Sequence, residues 1–297
     1  MRKYSIPRQI WRAIYPLMIF IGLQLFVSFL AAVVFGIVLG FQLVAAGKTI
    51  DPTMLLMADD FLLDFHMWFL LIASVIGIVV FALMWRKERI CLPTYDNTKL
   101  RALPVTLTIL AFAGLNYILV SIVALTDLTR YFPSYELVEQ LLGSGGFVVR
   151  ILVIGLLGPV LEELVCRGFV FNRLCCWMPK WAAVLVGSAL FGVIHFNLFQ
   201  ALYAFVLGIL FSLVYIHYRN IWIPIIAHVA FNLANIVLIE VLEAAGAGES
   251  SAWILLIPSV LIVAACITLL LKRTKAAVLV QEPEIETDTI IRINDYE

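Results

Sequence analysis

Glu162, Glu163 and Arg167 interrupt an otherwise apolar stretch that runs from Ile151 to Arg173. Glu163 and Arg167 are four residues apart, so on a helix they share a face and can pair. Glu162 is rotated from Glu163 by about 100° and points elsewhere. An arginine partner keeps one carboxylate ionised, whereas a buried carboxylate without a cation tends to hold its proton. Two carboxylates in different surroundings can divide acid and base roles.

The histidines add to this group. There are four, His66, His195, His217 and His228. His217 falls at a helix end beside Tyr218 and Arg219, and His66 lies close to Asp64; neither placement suggests chemistry. His195 and His228 each sit in an apolar run. Asn232 follows His228 at helical spacing, on the same face, and Asn235 lies on that face too, where an amide can also simply bridge helices. Two carboxylates, two imidazoles and an amide can activate water. A bound Zn²⁺ could lower the water's pKa. Alternatively, a glutamate could take the proton directly while His and Asn stabilise the oxyanion. No Gly-x-Ser-x-Gly or His-Glu-x-x-His motif is present, and there is no glycine loop to cradle phosphate.

The elements that hold these residues must be membrane helices. Hydrophobic residues make up 63% of the 297-residue chain and charged residues 13%, with a mean hydropathy of +1.05. No single soluble core hides that much apolar surface. A span needs about 20 apolar residues. Runs of that kind lie near 14–45, 61–85, 102–125, 147–177, 181–197, 200–216, 221–239 and 252–271, which predicts an all-α integral membrane fold of about eight transmembrane helices. The fifth and sixth runs are short and are expected to be two spans joined by a tight turn. Residues 1–276 form the membrane domain. The acidic tail 277–297, broken by Pro283, has a disordered composition. Between 126 and 146, Ser134 is a candidate N-cap for a short interfacial helix ended by glycines.

Charge sets the topology. Arg2, Lys3, Arg8, Arg12, Arg86, Lys87, Arg89, Lys99, Arg101, Arg173, Lys180, Arg219, Lys272, Arg273 and Lys275 fall in the N-terminal segment and alternate connections, and Asp51, Asp59, Asp60, Glu136, Glu139, Glu240, Glu243 and Glu249 in the others. Lys and Arg mark the cytosolic side, so both termini are predicted to be cytosolic. The first run is too long for a cleaved signal and reads as an anchor. Cys91, Cys166, Cys175, Cys176 and Cys266 lie in spans or near cytosolic edges, where disulfides are not expected. A net charge of zero gives no electrostatic case for nucleic acid. The compact loops suggest a bacterial plasma membrane. Each charge at the bilayer centre costs roughly 2.5–3.5 kcal/mol, so three imply on the order of 8–10 kcal/mol before pairing. A structural role as helix glue needs far less.

Taken in order, Glu162-Glu163-Leu-Val-Cys-Arg167-Gly168, Phe191-Gly-Val-Ile-His195 and His228-Val-Ala-Phe-Asn232 resemble the three motifs of the CPBP intramembrane proteases. That family includes CAAX prenyl endopeptidases and bacteriocin-processing or Abi-type immunity proteins. The resemblance covers about 145–240; Cys166 replaces a usual aromatic. It implies an eight-helix endopeptidase with the active site inside the bundle and opening to the cytosol. It also implies Glu162 as water-activating base, His195 in proton handling or metal binding, Glu163 with Arg167 as orienting pair, and His228 and Asn232 as metal ligands or oxyanion donors. A Zn²⁺ would be held by Glu162, His195 and His228. The expected substrate is a peptide or a lipidated protein. The competing readings are a non-catalytic immunity or scaffold protein that keeps the motifs, and a proton-coupled transporter, although no internal repeat of the transporter kind is visible.

Overall fold

The structure is a computed structural model that describes residues 5–45, 52–88, 100–246 and 254–280. No strand occurs among them. The helices are α1 (Ile6–Ala45), α2 (Pro52–Glu88), α3 (Ala102–Thr126), α4 (Glu136–Gly143), α5 (Gly146–Leu174), α6 (Lys180–Val193), α7 (Leu198–Tyr218), α8 (Trp222–Ala244) and α9 (Leu256–Val280). Cys91, the acidic tail and the charges Arg2, Lys3, Asp51, Arg89, Lys99 and Glu249 lie outside the described residues, as does the start of the eighth apolar run.

Each of the eight apolar runs corresponds to a helix, with α4 as an addition between the third and fourth. The exact count of eight spans does not carry over. Five helices, α1, α2, α3, α7 and α8, are long and apolar enough to cross a membrane, and α5 makes a sixth when joined to α4 across a 110° bend. The shortfall is one of length. The 14 residues of α6 reach only about 21 Å, and the apolar part of α9 is Leu256–Leu270. Large side chains face outward, among them Phe26, Phe29 and Phe41 on α1 and Val79 and Leu83 on α2. A protein in water would not expose such faces, whereas lipid solvates them.

At the centre is α5, packed against α1, α2, α6 and α8. Close approach depends on small residues. A Cβ at Gly168 would fall 2.0 Å from the Trp85 ring, and one at Gly155 would fall 2.4 Å from Leu233. The bend between α4 and α5 uses Gly145 and Gly146 at φ +84° and +70°, a region glycine enters without steric cost. Ser134 does not cap α4. It lies in a turn at Pro133–Tyr135, and its hydroxyl accepts from Asn197 Nδ2. Arg173, placed by sequence at a cytosolic edge, is buried and donates to the Arg12 carbonyl and the Tyr15 hydroxyl, tying α1 to the end of α5.

Candidate active site

Two π-helical stretches, Ile151–Leu157 and Leu164–Phe171, flank the paired glutamates on α5. The first follows from Pro159, which has no N–H to donate back along the helix. The Gly158 N–H bonds the Val153 carbonyl, five residues back, so the Ile154 carbonyl loses its usual helical partner. Asn232 Nδ2 of α8 donates to that carbonyl at 2.9 Å. A helix irregularity therefore positions one of the motif residues, a common use of π turns.

Glu163 and Arg167 form the expected ion pair. Arg167 Nη1 donates to Glu163 Oε1 at 2.8 Å, with relative side-chain exposures of 2% and 0%. Arg167 Nη2 donates to the Gly208 carbonyl at 2.9 Å, and the guanidinium lies over the rings of Phe191 and Phe211 at 4.6 and 5.2 Å. The same Glu163 oxygen faces His228 Nδ1 at 3.1 Å. Phe211 stacks on the His228 ring at 4.8 Å, and Phe191 meets it edge-on. His228 is thus fixed on three sides.

Glu162 is different. It points into a cavity of about 690 Å³ that His195, His228 and Asn232 also line, together with Asn235. His228 Nε2 lies 3.8 Å from Glu162 Oε2. That is too long for a hydrogen bond and is a separation across which a small polar group can bridge. Glu163 and Arg167 sit behind the cavity wall.

His195 is not inside a through-going span. α6 ends at Val193 and α7 begins at Leu198, with Asn197 Oδ1 capping α7 by accepting from Gln200 N. His195 lies on this break, next to Phe196 at φ +53°. Its Nδ1 is 2.8 Å from the Phe191 carbonyl. A carbonyl can only accept, so Nδ1 carries the hydrogen, and Nε2 of the neutral ring is an acceptor.

All six motif residues are thus brought to one site: Glu162, His195, His228 and Asn232 at the cavity, with Glu163 and Arg167 as the support behind. The zinc set fits less well. Among the described residues, no three His, Cys, Asp or Glu side chains come together as a possible metal site. Sequence reasoning missed Asn116, Tyr203 and Arg150, which also line the cavity. Arg150 pairs with Glu240 across ninety residues of chain. His66 lines the cavity as well, away from the motif residues.

The cavity extends from Glu162 to α4, with Tyr135, Glu139 and Leu142 at that end. None of its lining residues lies within two helical turns of Arg86, Arg101, Arg173 or Arg219. Charge placed those arginines on the cytosolic side and α4 on the outer side. A cytosolic mouth and the charge-derived topology therefore point to opposite ends of the bundle, and the lining residues describe the α4 end.

This fold and site define a polytopic helical membrane protein with a carboxylate–imidazole cavity inside its bundle. Residues 144–234, which hold all six motif residues, match the family model described as type II CAAX prenyl endopeptidase Rce1-like. The chain is also 33% identical over 84 residues to a Bacillus subtilis (strain 168) protein named "Putative membrane peptidase YdiL". The match covers 28% of this chain and 34% of that relative, so the chain spans about a third of the length of the curated protein it matches. No solved structure matches.

Proposed function

We propose that this protein is an intramembrane endopeptidase in which Glu162 activates water. One observation carries the reading: of two adjacent glutamates, one is fully buried and ion-paired while the other faces the cavity, with His228 Nε2 3.8 Å away. A water held by Glu162 and His195 Nε2 has two acceptors for its hydrogens. Glu162 takes one proton as the water oxygen bonds to the peptide carbonyl carbon. The carbonyl oxygen gains negative charge. The second amide hydrogen of Asn232 is in reach of the cavity to meet it, and so is His228 Nε2 in the doubly protonated ring, whose Nδ1–H faces the Glu163 carboxylate. The C–N bond then breaks, and the proton on Glu162 passes to the leaving amine. Glu163 and Arg167 touch no reacting atom and hold His228 in place. No step runs through a metal.

The name of the matching family supports a peptide or prenylated peptide as substrate. The test uses the purified protein in detergent with prenylated and unprenylated peptides. Cleavage by the unsubstituted protein and at least about 10³-fold less by Glu162→Gln are expected, a loss of the size that removing an essential general base produces. Undiminished cleavage by the variant overturns the proposal.

A further inference from the structure

Asn116 is a polar residue in the middle of the apolar helix α3, and it is 3% exposed. Its Oδ1 is fully buried without a hydrogen-bond partner, and its amide group bonds to no other helix among the described residues. Interhelical hydrogen bonding is the usual reason for an amide in a span, and it does not apply here. Buried polar groups are nearly always paired, so an exception calls for a user. The side chain lines the cavity that holds Glu162.

Its height in the bundle can be read from a stack of rings. Phe112 of α3 stacks on Phe211 at 5.2 Å, and Phe211 stacks on His228 at 4.8 Å. Asn116 follows Phe112 by four residues, on the same face, about 6 Å further along α3. It therefore lies one turn beyond Phe112, toward the end of α3 that leads to α4. Leu119, Val120 and Val123 continue the same cavity-facing stripe. A single unpaired carboxamide is thus set in an apolar wall beside the reacting groups.

We infer that Asn116 grips the main chain of the substrate. This rests on the peptidase reading and names the ligand chemistry of the same cavity. A carboxamide offers one acceptor oxygen and an NH₂ donor. In an extended peptide, the N–H and C=O of one residue point to the same side, and together they complement that pair. Because it touches main chain only, Asn116 selects for an extended peptide and not for particular side chains. It is a positioning residue and leaves the proton transfers to Glu162.

The test is a binding experiment, so it does not depend on turnover. The full-length protein carrying Glu162→Gln, in lipid nanodiscs, is offered a pool of random synthetic peptides and a matched pool methylated at every backbone nitrogen. Methylation removes the N–H that Asn116 Oδ1 accepts from but leaves the carbonyl, and one hydrogen bond of ordinary net strength corresponds to about a fivefold preference for the unmethylated pool. Adding Asn116→Leu is expected to abolish that preference, to leave retention of the methylated pool unchanged, and to keep the thermal midpoint at or above that of the parent. Three results overturn the inference: a parent that does not distinguish the pools, a double variant that still does, or a fall in midpoint accompanying the loss. Failure of the unsubstituted protein to cleave the first pool bears only on the peptidase reading.

Discussion

Replacing Arg167 with methionine tests whether Glu163 is part of the support and not of the chemistry. Methionine keeps much of the length and apolar contact of the side chain but removes its charge. The variant loses the 2.8 Å bond to Glu163 and the 2.9 Å bond to the Gly208 carbonyl. The second loss is minor, because Ser212 Oγ still donates to that carbonyl at 2.8 Å. The first leaves a carboxylate with no exposure and without its cation. Breaking a buried pair by removing one partner costs about 3–5 kcal/mol. The contacts with Phe191 and Phe211 contribute up to about 2 kcal/mol in desolvated settings, and they overlap with the pair and do not simply add. The expected loss is therefore about 3–5 kcal/mol, measured by tryptophan fluorescence during unfolding in mixed micelles of dodecyl sulfate and a mild detergent. Glu163→Leu with Arg167→Met removes both charges and should return to within about 1–2 kcal/mol of the parent, since apolar replacement of a whole buried pair is often neutral. Activity should stay lost in the double variant, because His228 Nδ1 has no carboxylate to face. A loss below about 1 kcal/mol in Arg167→Met refutes the reasoning, and so does a double variant less stable than the single one.

Other predictions follow from single contacts. Gly168→Ala puts a methyl group 2.0 Å from the Trp85 ring, so unfolding should show about 1–3 kcal/mol of destabilisation; adding Trp85→Leu should recover part of it. Hydrolysis should survive a strong chelator, and a loss of activity reversed by Zn²⁺ would show that Glu162, His195 and His228 rearrange into a ligand set. Cys175, in the turn after α5, has its thiol pushed up to about 11, chiefly by burial, then by Cys176, with Lys180 opposing. Only the thiolate reacts, so alkylation of Cys175 in Cys176→Ser, followed by mass spectrometry, should be slow at pH 8 and rise about tenfold per pH unit until the pH nears 11.

The parts of the site that were legible in the sequence are those with local spacing. Glu163 and Arg167 pair because residues four apart on a helix meet, and Glu162 turns away for the same geometric reason. The apolar runs marked the helices but not the number of spans, since hydrophobicity does not reveal that α6 stops short at Val193. Asn197, at the end of the fifth run, was an available sign of that break, because it caps α7. Pro159 was likewise visible, yet its consequence is a shift in backbone partners that frees one carbonyl for Asn232, and no residue pattern states that. Arg150 and Glu240 meet only through tertiary packing, so neither predicts the other. Asn116 was missed because attention went to charges. An amide costs less than a charge in lipid, and a lone one belongs to no motif.

The cost of charge in a membrane was the first sign of a site, and the structure divides that cost unequally. The Glu163–Arg167 pair is engaged through Glu163 Oε1 and the guanidinium, with aromatic rings, a carbonyl and an imidazole around it. A purely structural role accounts for such a pair without further assumption. It does not account for Glu162, which joins no helix to another and makes no hydrogen bond among the described residues, with His228 3.8 Å away. Its side chain is 21% exposed to the cavity. A bundle held together by polar glue would gain nothing by keeping this carboxylate one residue from a completed pair. A transporter could use it as a proton carrier, but that function needs no second imidazole with a free acceptor nitrogen beside it. Two acceptors facing one cavity, with a braced His228 and Asn232 opposite, is the arrangement that removing a proton from water and receiving an oxyanion requires.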